Sequence, residues 1–427
     1  QRVVSLQECI DVDPTPQESL ADLSIHQARE RLAADAEQAL AQPFDLQRAP
    51  LLRTHLYSLP GNEQILLVTV HHIIADGMCV QLIRDELAQA YAQGTNLALP
   101  VFQYADFVRW QRQSLTSAAT TPALKWWQQT LAGHNGQPVS TVRDLTASGG
   151  HEARFAFEIS ATLTRELRTL ARDVGATLFM LLLAAWRVWL ARCLMEKDLL
   201  LGSPVTLRRD AATADMLGCM VNNVVFRNPL DTATVFIDVL KSERDCALAA
   251  IGHSQVPFEK VVEAVQPERH LGRHPLFQLM FLFEDRSAPP VSVEGLRFTA
   301  DVLPVDRASY WDLELSVTDC GPTDAMQAFI GVRRDIYDAE ALAWWPAGFV
   351  AMLGAIARDA QTPVADLPLL SSAQRKRVLV DWNDTQLAIL PEETLHQLVT
   401  AQAHRTPDAI AVQDEHARVT YAALIGL

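Results

Sequence analysis

His71-His72-Ile73-Ile74-Ala75-Asp76-Gly77 follows an apolar run at 65–70 and precedes Val80, Leu82, Ile83, Leu87 and Tyr91, which recur at helical spacing. The histidine pair therefore stands at a strand exit and the glycine at a helix start. An imidazole so placed can act as a general base near neutral pH. A glycine at a helix start lets a substrate approach the backbone, and the unpaired N–H groups there favour developing negative charge. Taken singly, a histidine pair at a strand end reads as a hydrogen-bonded rim feature and Asp-Gly as a turn. Together, at this spacing, they supply the parts that acyl transfer needs.

Upstream of this stretch, residues 19–41 are rich in Ala, Glu, Gln and Arg and read as a helix. The apolar runs 51–59 and 64–70, separated by Pro60-Gly61-Asn62-Glu63, read as a hairpin. Phe102 to Arg112, with Trp126-Trp127, form an aromatic stripe of the kind that packs helices. After a loose stretch at 133–150, helices are expected at 161–173 and 176–194 and strands at 198–202, 221–227, 276–283, 311–318 and 326–333. Pro257 marks a turn, and Pro346 a kink or restart in a last helix at 339–358.

The 427 residues leave room for two or three domains with an ample core. A composition of 49% hydrophobic and 20% charged residues is that of a folded globular chain, and a net charge of −15 argues against nucleic acid as the main partner. The six cysteines, Cys9, Cys79, Cys193, Cys219, Cys246 and Cys320, are scattered without CxxC spacing. They read as reduced thiols of a cytoplasmic protein, with no metal site, and Cys79 as a packing residue on the helix after the motif. The most apolar stretch, 178–189, is interrupted by Arg187 and reads as a buried helix, so no membrane is expected. The chain opens on Gln1, with no secretory signal and no initiator Met, as though cut from something longer.

HHxxxDG after an apolar strand resembles the signature of the condensation domains of nonribosomal peptide synthetases, within the chloramphenicol acetyltransferase-like superfamily. Further segments agree in order: Tyr104-Ala105-Asp106-Phe107 with Trp110-Gln111-Arg112, then Gly218-Cys219-Met220-Val221-Asn222-Asn223, then His253-Ser254-Gln255-Val256-Pro257-Phe258-Glu259. Pro275-Leu276-Phe277-Gln278 and Tyr310-Trp311-Asp312-Leu313 match further landmarks. Met220 and Asn223 stand where the family usually has Phe and Thr. The two opening motifs of the family are not found, which implies an N-terminally truncated domain. Arg405-Thr406-Pro407-Asp408-Ala409-Ile410-Ala411-Val412 and Val419-Thr420-Tyr421 resemble the start of an adenylation domain.

The resemblance implies an α/β (α+β) fold of two chloramphenicol acetyltransferase-like lobes in a V-shaped pseudo-dimer with a substrate tunnel between them. The implied division is 1–140 and 151–358 for the lobes, 359–391 for a linker and 392–427 for the beginning of the adenylation domain. The implied reaction joins an upstream carrier-bound acyl or peptidyl thioester to a downstream carrier-bound aminoacyl thioester as an amide. The partners are then the two peptidyl carrier proteins and the adjoining adenylation domain. The domain itself binds no cofactor, its substrates riding on 4'-phosphopantetheine. His72 is expected to remove a proton from the attacking amine, or to orient the amine and stabilise the charged intermediate; His71 is expected to be structural. Asp76 is expected in an ion pair with Arg227, and the Gly77 N–H to face the oxyanion. Asn222, Trp311 and Asp312 are candidates for lining the tunnel. The alternatives on the same scaffold are an epimerization domain or a non-catalytic docking domain.

Overall fold

A computed structural model describes residues 15–93, 97, 100–115, 120–134, 152–268, 274–286, 291–293, 295–298, 311–385 and 394–426. Cys9, Tyr310 and the expected loose stretches at 135–150 and 386–391 lie outside these. The described chain divides into two compact units, Gln1–Ser371 and Ser372–Leu427.

The large unit opens with a three-stranded sheet: β1 (Gln17–Ser19) lies parallel to β2 (Leu52–Ser58), which is antiparallel to β3 (Gln64–Val70). The expected hairpin is present. Its turn places Gly61 and Asn62 at positive φ (83° and 65°), residue types that tolerate the left-handed region. The expected helix at 19–41 begins later, as α1 (Ile25–Ala41), because Ser24 and Gln27 form a reciprocal capping box. Leu20, Ala28, Leu32, Tyr57 and Leu59 make a small core between helix and sheet. Then come α2 (Gly77–Gln93), α3 (Tyr104–Leu115) and α4 (Thr120–Thr130). Although α4 falls in the expected first lobe, its Ala123 and Trp127 pack into the larger core of the second sheet.

That second sheet has six strands in the order β4 (Glu152–Ile159), β11 (Met326–Arg333), β10 (Leu313–Asp319), β7 (Leu279–Asp285), β5 (Leu200–Thr206) and β6 (Val221–Arg227). β10 and β7 run parallel, as do β7 and β5, and the remaining pairs are antiparallel. Sequence periodicity locates five of the six; β4 is an addition. Helix α5 (Ala161–Asp173) falls where expected, and α6 (Leu178–Leu194) is apolar all round, so it buries every residue from Met180 to Ala191. Arg187 is among them, fully buried and held by Glu243 at 2.7 Å and by the carbonyls of Leu199 and Phe226. A short α7 (Ala211–Ala214) interrupts the connection from β5 to β6, and α8 (Phe236–Gly252) and α9 (Phe258–Val265) follow β6. β8 (Val291–Val293) and β9 (Leu296–Phe298) form a small hairpin. The last helix restarts as expected: α10 (Ala339–Leu342) gives way to α11 (Trp345–Arg358), which has Pro346 in its first turn.

The expected linker does not begin at 359. Ala360 and Thr362 accept the N–H groups of Ile237 and Phe236 at the start of α8, Val364 donates to Thr234, and Val364 and Leu367 are buried. This segment is an integral edge of the large unit. The small unit holds α12 (Ser372–Leu379), α13 (Leu395–Arg405) and an antiparallel pair, β12 (Ile410–Gln413) and β13 (Arg418–Thr420), leading into α14 (Tyr421–Gly426).

Candidate active site

Strand β3 delivers the chain to His71, whose N–H bonds the Leu51 carbonyl at 3.0 Å. Its Nδ1 accepts the Ile73 N–H at 3.1 Å, and its carbonyl accepts that of Ile74 at 3.1 Å. These hydrogen bonds make His71 part of the turn. The turn leaves His72 exposed while Ala75 and Asp76 are buried. Asp76 then sets the start of α2, accepting the Cys79 N–H at 3.3 Å.

The partner of Asp76 is Arg208, not Arg227. Arg208 Nη1 reaches Asp76 Oδ2 at 2.5 Å, and the Met220 N–H donates to the same oxygen at 2.8 Å. Strand pairing explains the correction. β5 and β6 are antiparallel, with Thr206 opposite Val221, and the Leu207 N–H bonds the Met220 carbonyl at 2.7 Å. Arg208, just past β5, and Met220, just before β6, therefore share the sheet end that meets Asp76. Arg227 lies at the other end of β6, about 20 Å away at strand rise. There it pairs with Asp198 at 2.6 Å and donates to the carbonyls of Thr130 and Ala132.

Burial opposes ionisation of Asp76, but the hydrogen bond from Arg208, the Met220 N–H and the guanidinium charge outweigh it and hold the carboxyl below the usual carboxylate range. Cys79 is buried at the centre of this knot. Its Sγ lies 3.4 Å from Asp76 Oδ1, from the Gly218 carbonyl and from the Arg208 guanidinium, so the residue serves a polar network as well as packing. Arg208 also donates to the carbonyls of Met216 and Gly218 at 3.0 and 3.1 Å. The network joins the turn after the first sheet to the segment that enters the last strand of the second.

Aromatic residues of α3 complete the junction. The Tyr104 hydroxyl donates to the Cys219 carbonyl at 3.0 Å, and Phe107 packs with Met216 and with Met220, which is fully buried. Cys219 Sγ lies 3.6 Å from His72 Nδ1. That hydrogen bond raises the imidazole pKa to about 9, against the opposing effect of desolvation, with Asp76 adding a smaller electrostatic push. With Nδ1 facing the Cys219 sulfur, Nε2 is the ring nitrogen left to meet other groups.

Gly77 opens α2 and is exposed. A Cβ there would meet nothing within 4 Å, and its φ is not positive, so neither packing nor backbone demands a glycine. Gly218 is different: an added Cβ would fall 2.2 Å from the Tyr104 ring. Asn222 spends its amide inside the fold, donating to the Ser254 and Val256 carbonyls at 2.7 Å each and accepting the Phe258 N–H at 3.0 Å. It clamps the turn before α9. Trp311 is half-buried, stacked on Phe277 at 5.1 Å and against His274. Asp312 is buried and faces Arg333 at 3.4 Å, within the sheet. The expected site residues thus divide: His71, His72, Asp76 and Gly77 stand together, while Arg227 and Asp312 are tied into other networks. A separate cleft of about 310 Å³ is lined by Arg165, Arg168 and Arg172 of α5 and shares no residue with the motif.

Sequence reasoning misses Arg208, Cys219 and Tyr104. Arg208 is open to discovery, since two arginines directly follow a strand that pairs with 221–227. Nothing in the sequence marks Cys219.

A condensation-domain family model matches residues 13–379. The chain belongs to the condensation-domain family. This condensation domain is 32% identical over 397 residues to one component of the linear gramicidin synthase of Brevibacillus parabrevis, covering 91% of this chain and 8% of that protein. It is 33% identical over 402 residues to chondramide synthase cmdD of Chondromyces crocatus, covering 91% of this chain and 10% of the relative. The chain spans a tenth or less of these relatives. Among solved structures the fold is similar to a four-domain nonribosomal peptide synthetase bound to AMP and glycine, with a TM-score of 0.76, 19% identity, and coverage of 97% of this chain and 32% of that one. It is also similar to the X-domain in its complex with OxyB from teicoplanin biosynthesis, with a TM-score of 0.70, 24% identity, and coverage of 84% and 79%.

Proposed function

We propose that this condensation domain joins two carrier-bound thioesters by an amide bond, with His72 as the group that meets the reacting atoms. The observation carrying the proposal is an exposed His72 on a turn fastened by the buried Asp76–Arg208 pair. In the reaction the amine of the downstream aminoacyl thioester attacks the upstream thioester carbonyl. The C–N bond forms, the C–S bond breaks, and the proton lost by the amine ends on the released pantetheine sulfur. With Nδ1 engaged by Cys219, Nε2–H is the donor left to the developing oxyanion or the leaving sulfur. The raised pKa favours this charge-stabilising role over proton removal, which needs a neutral imidazole. The open space at Gly77, at the head of a 17-residue helix, is suited to the same oxyanion.

The partners in this reading are the upstream and downstream peptidyl carrier proteins, whose phosphopantetheine arms bring the substrates, and an adjoining adenylation domain. Residues 392–427 are assigned to the beginning of that domain on the strength of Arg405–Val412 and Thr420-Tyr421. A cytoplasmic location belongs to the same reading. The intact histidine pair weighs against a non-catalytic docking role. Both loaded carriers mixed with the chain should give dipeptidyl thioester by mass spectrometry, and His72→Ala should lower its rate by ~10²–10⁴-fold. Equal product from the variant overturns the assignment.

A further inference from the structure

The backbone on both sides of Cys219 is pinned by groups from other segments. The Gly218 carbonyl accepts from Arg208 at 3.1 Å, and its N–H approaches Cys79 Sγ at 3.4 Å. The Cys219 carbonyl accepts the Tyr104 hydroxyl at 3.0 Å, and the Met220 N–H is held by Asp76 at 2.8 Å. A side chain on so constrained a backbone is placed as firmly as one in a strand. Cys219 is half-buried, and its sulfur stands 3.6 Å from His72 Nδ1. His72 itself lies on an exposed turn, and this sulfur is the side-chain partner that its ring meets there.

We infer that Cys219 is a positioning residue for the reaction proposed above: its sulfur accepts the Nδ1–H of His72, fixes the ring plane, and aims Nε2 at the substrate. Sulfur is a weak but long-reaching acceptor, and a serine oxygen on its shorter bond would not span the same gap. The charged and titratable side chains that act on the ring are Cys219 and Asp76, the latter paired with Arg208. Asp76 and Arg208 neutralise one another, which leaves the sulfur as the dominant influence on the imidazole. The arrangement also makes Cys219 a point at which a thiol-directed electrophile would release the catalytic ring. Orientation of a catalytic group governs kcat more than substrate binding, so the signature of the role is a kcat defect at constant KM.

The inference rests on the proposed role of His72, and its test is built to be read separately from it. Ring-¹⁵N-histidine NMR titration of the full chain, with the His72 signal identified by its loss in His72→Gln, follows the imidazole directly. In the native chain His72 should hold its proton to about 9; in Cys219→Ala its titration should move clearly to lower pH. Because the pinning bonds use backbone groups of Gly218, Cys219 and Met220, Cys219→Ala retains them, and an unchanged melting temperature verifies the fold. In the amide-forming assay the same variant should lose kcat at least tenfold with KM unchanged, and iodoacetamide should slow the native chain but not further slow the variant. Identical titration of His72 in the two chains overturns the inference whatever the activity. Absence of product from the native chain sinks the proposed function and leaves the titration to decide the role of Cys219.

Discussion

For single residues, the proposed reaction makes the charge state of His72 the deciding property. A ring with a pKa of about 9 donates a hydrogen bond throughout the neutral range and ceases to do so as the pH rises through that value. The acceptor amine must be neutral to attack, and an ordinary α-amino group loses its proton near ~7.7–8.0. The kcat/KM profile should therefore be bell-shaped, rising with deprotonation of the amine and falling as His72 deprotonates. A rate that climbs through pH 9 to a plateau would instead mark His72 as a base. Asp76 and Arg208 are a second residue-scale case, with side chains only 1% and 5% exposed. Removing either charge should cost about 3–5 kcal/mol in a denaturant titration, because the other is left buried and unpaired. The double variant Asp76→Asn with Arg208→Met should cost less than the sum, and simple additivity would rule out the coupling. The stabilising ionised form of Asp76 predominates above the unfolded pKa of ~3.9, so this contribution disappears as the pH falls through the lower folded value.

At the scale of elements, the junction depends on how closely α3 approaches the segment before β6. The Tyr104 ring occupies the space that a side chain at residue 218 would need. Gly218→Ala should therefore push Tyr104 from the Cys219 carbonyl, lower the melting temperature and reduce amide formation together. Tyr104→Ala in the same chain should recover part of the stability by opening that space, and no recovery would refute the steric account. The aromatic stripe on α3 is legible from sequence as packing. That one of its rings carries a hydroxyl to the active turn is not, because a helical periodicity gives a face and not the partner of that face. The β5–β6 hairpin shows the same limit. Alternating apolar residues locate the strands, but the ion pair follows from register, which brings Arg208 to Asp76 and carries Arg227 away.

At the scale of the whole molecule, the large unit is closed by a segment that composition alone marks as a linker. Val364 and Leu367 are buried, and the α8 N-terminus is capped by carbonyls from 360 and 362. A chain ending at Arg358 should be less stable than one ending at Ser371 by about 3–6 kcal/mol, the burial of two aliphatic side chains, as read in urea unfolding. Equal stability would return 359–371 to the status of a linker. The family, the strongly periodic helices and strands, and the position of His72 at a strand exit are all legible in the amino-acid order, because each is written in residues near one another along the chain. Tertiary structure alone decided which cation balances Asp76, which sulfur touches His72 and where the large unit ends. Those are matters of strand register and packing between segments far apart in the chain, and the free energy that selects them arises only when buried charges and apolar side chains meet their partners in space.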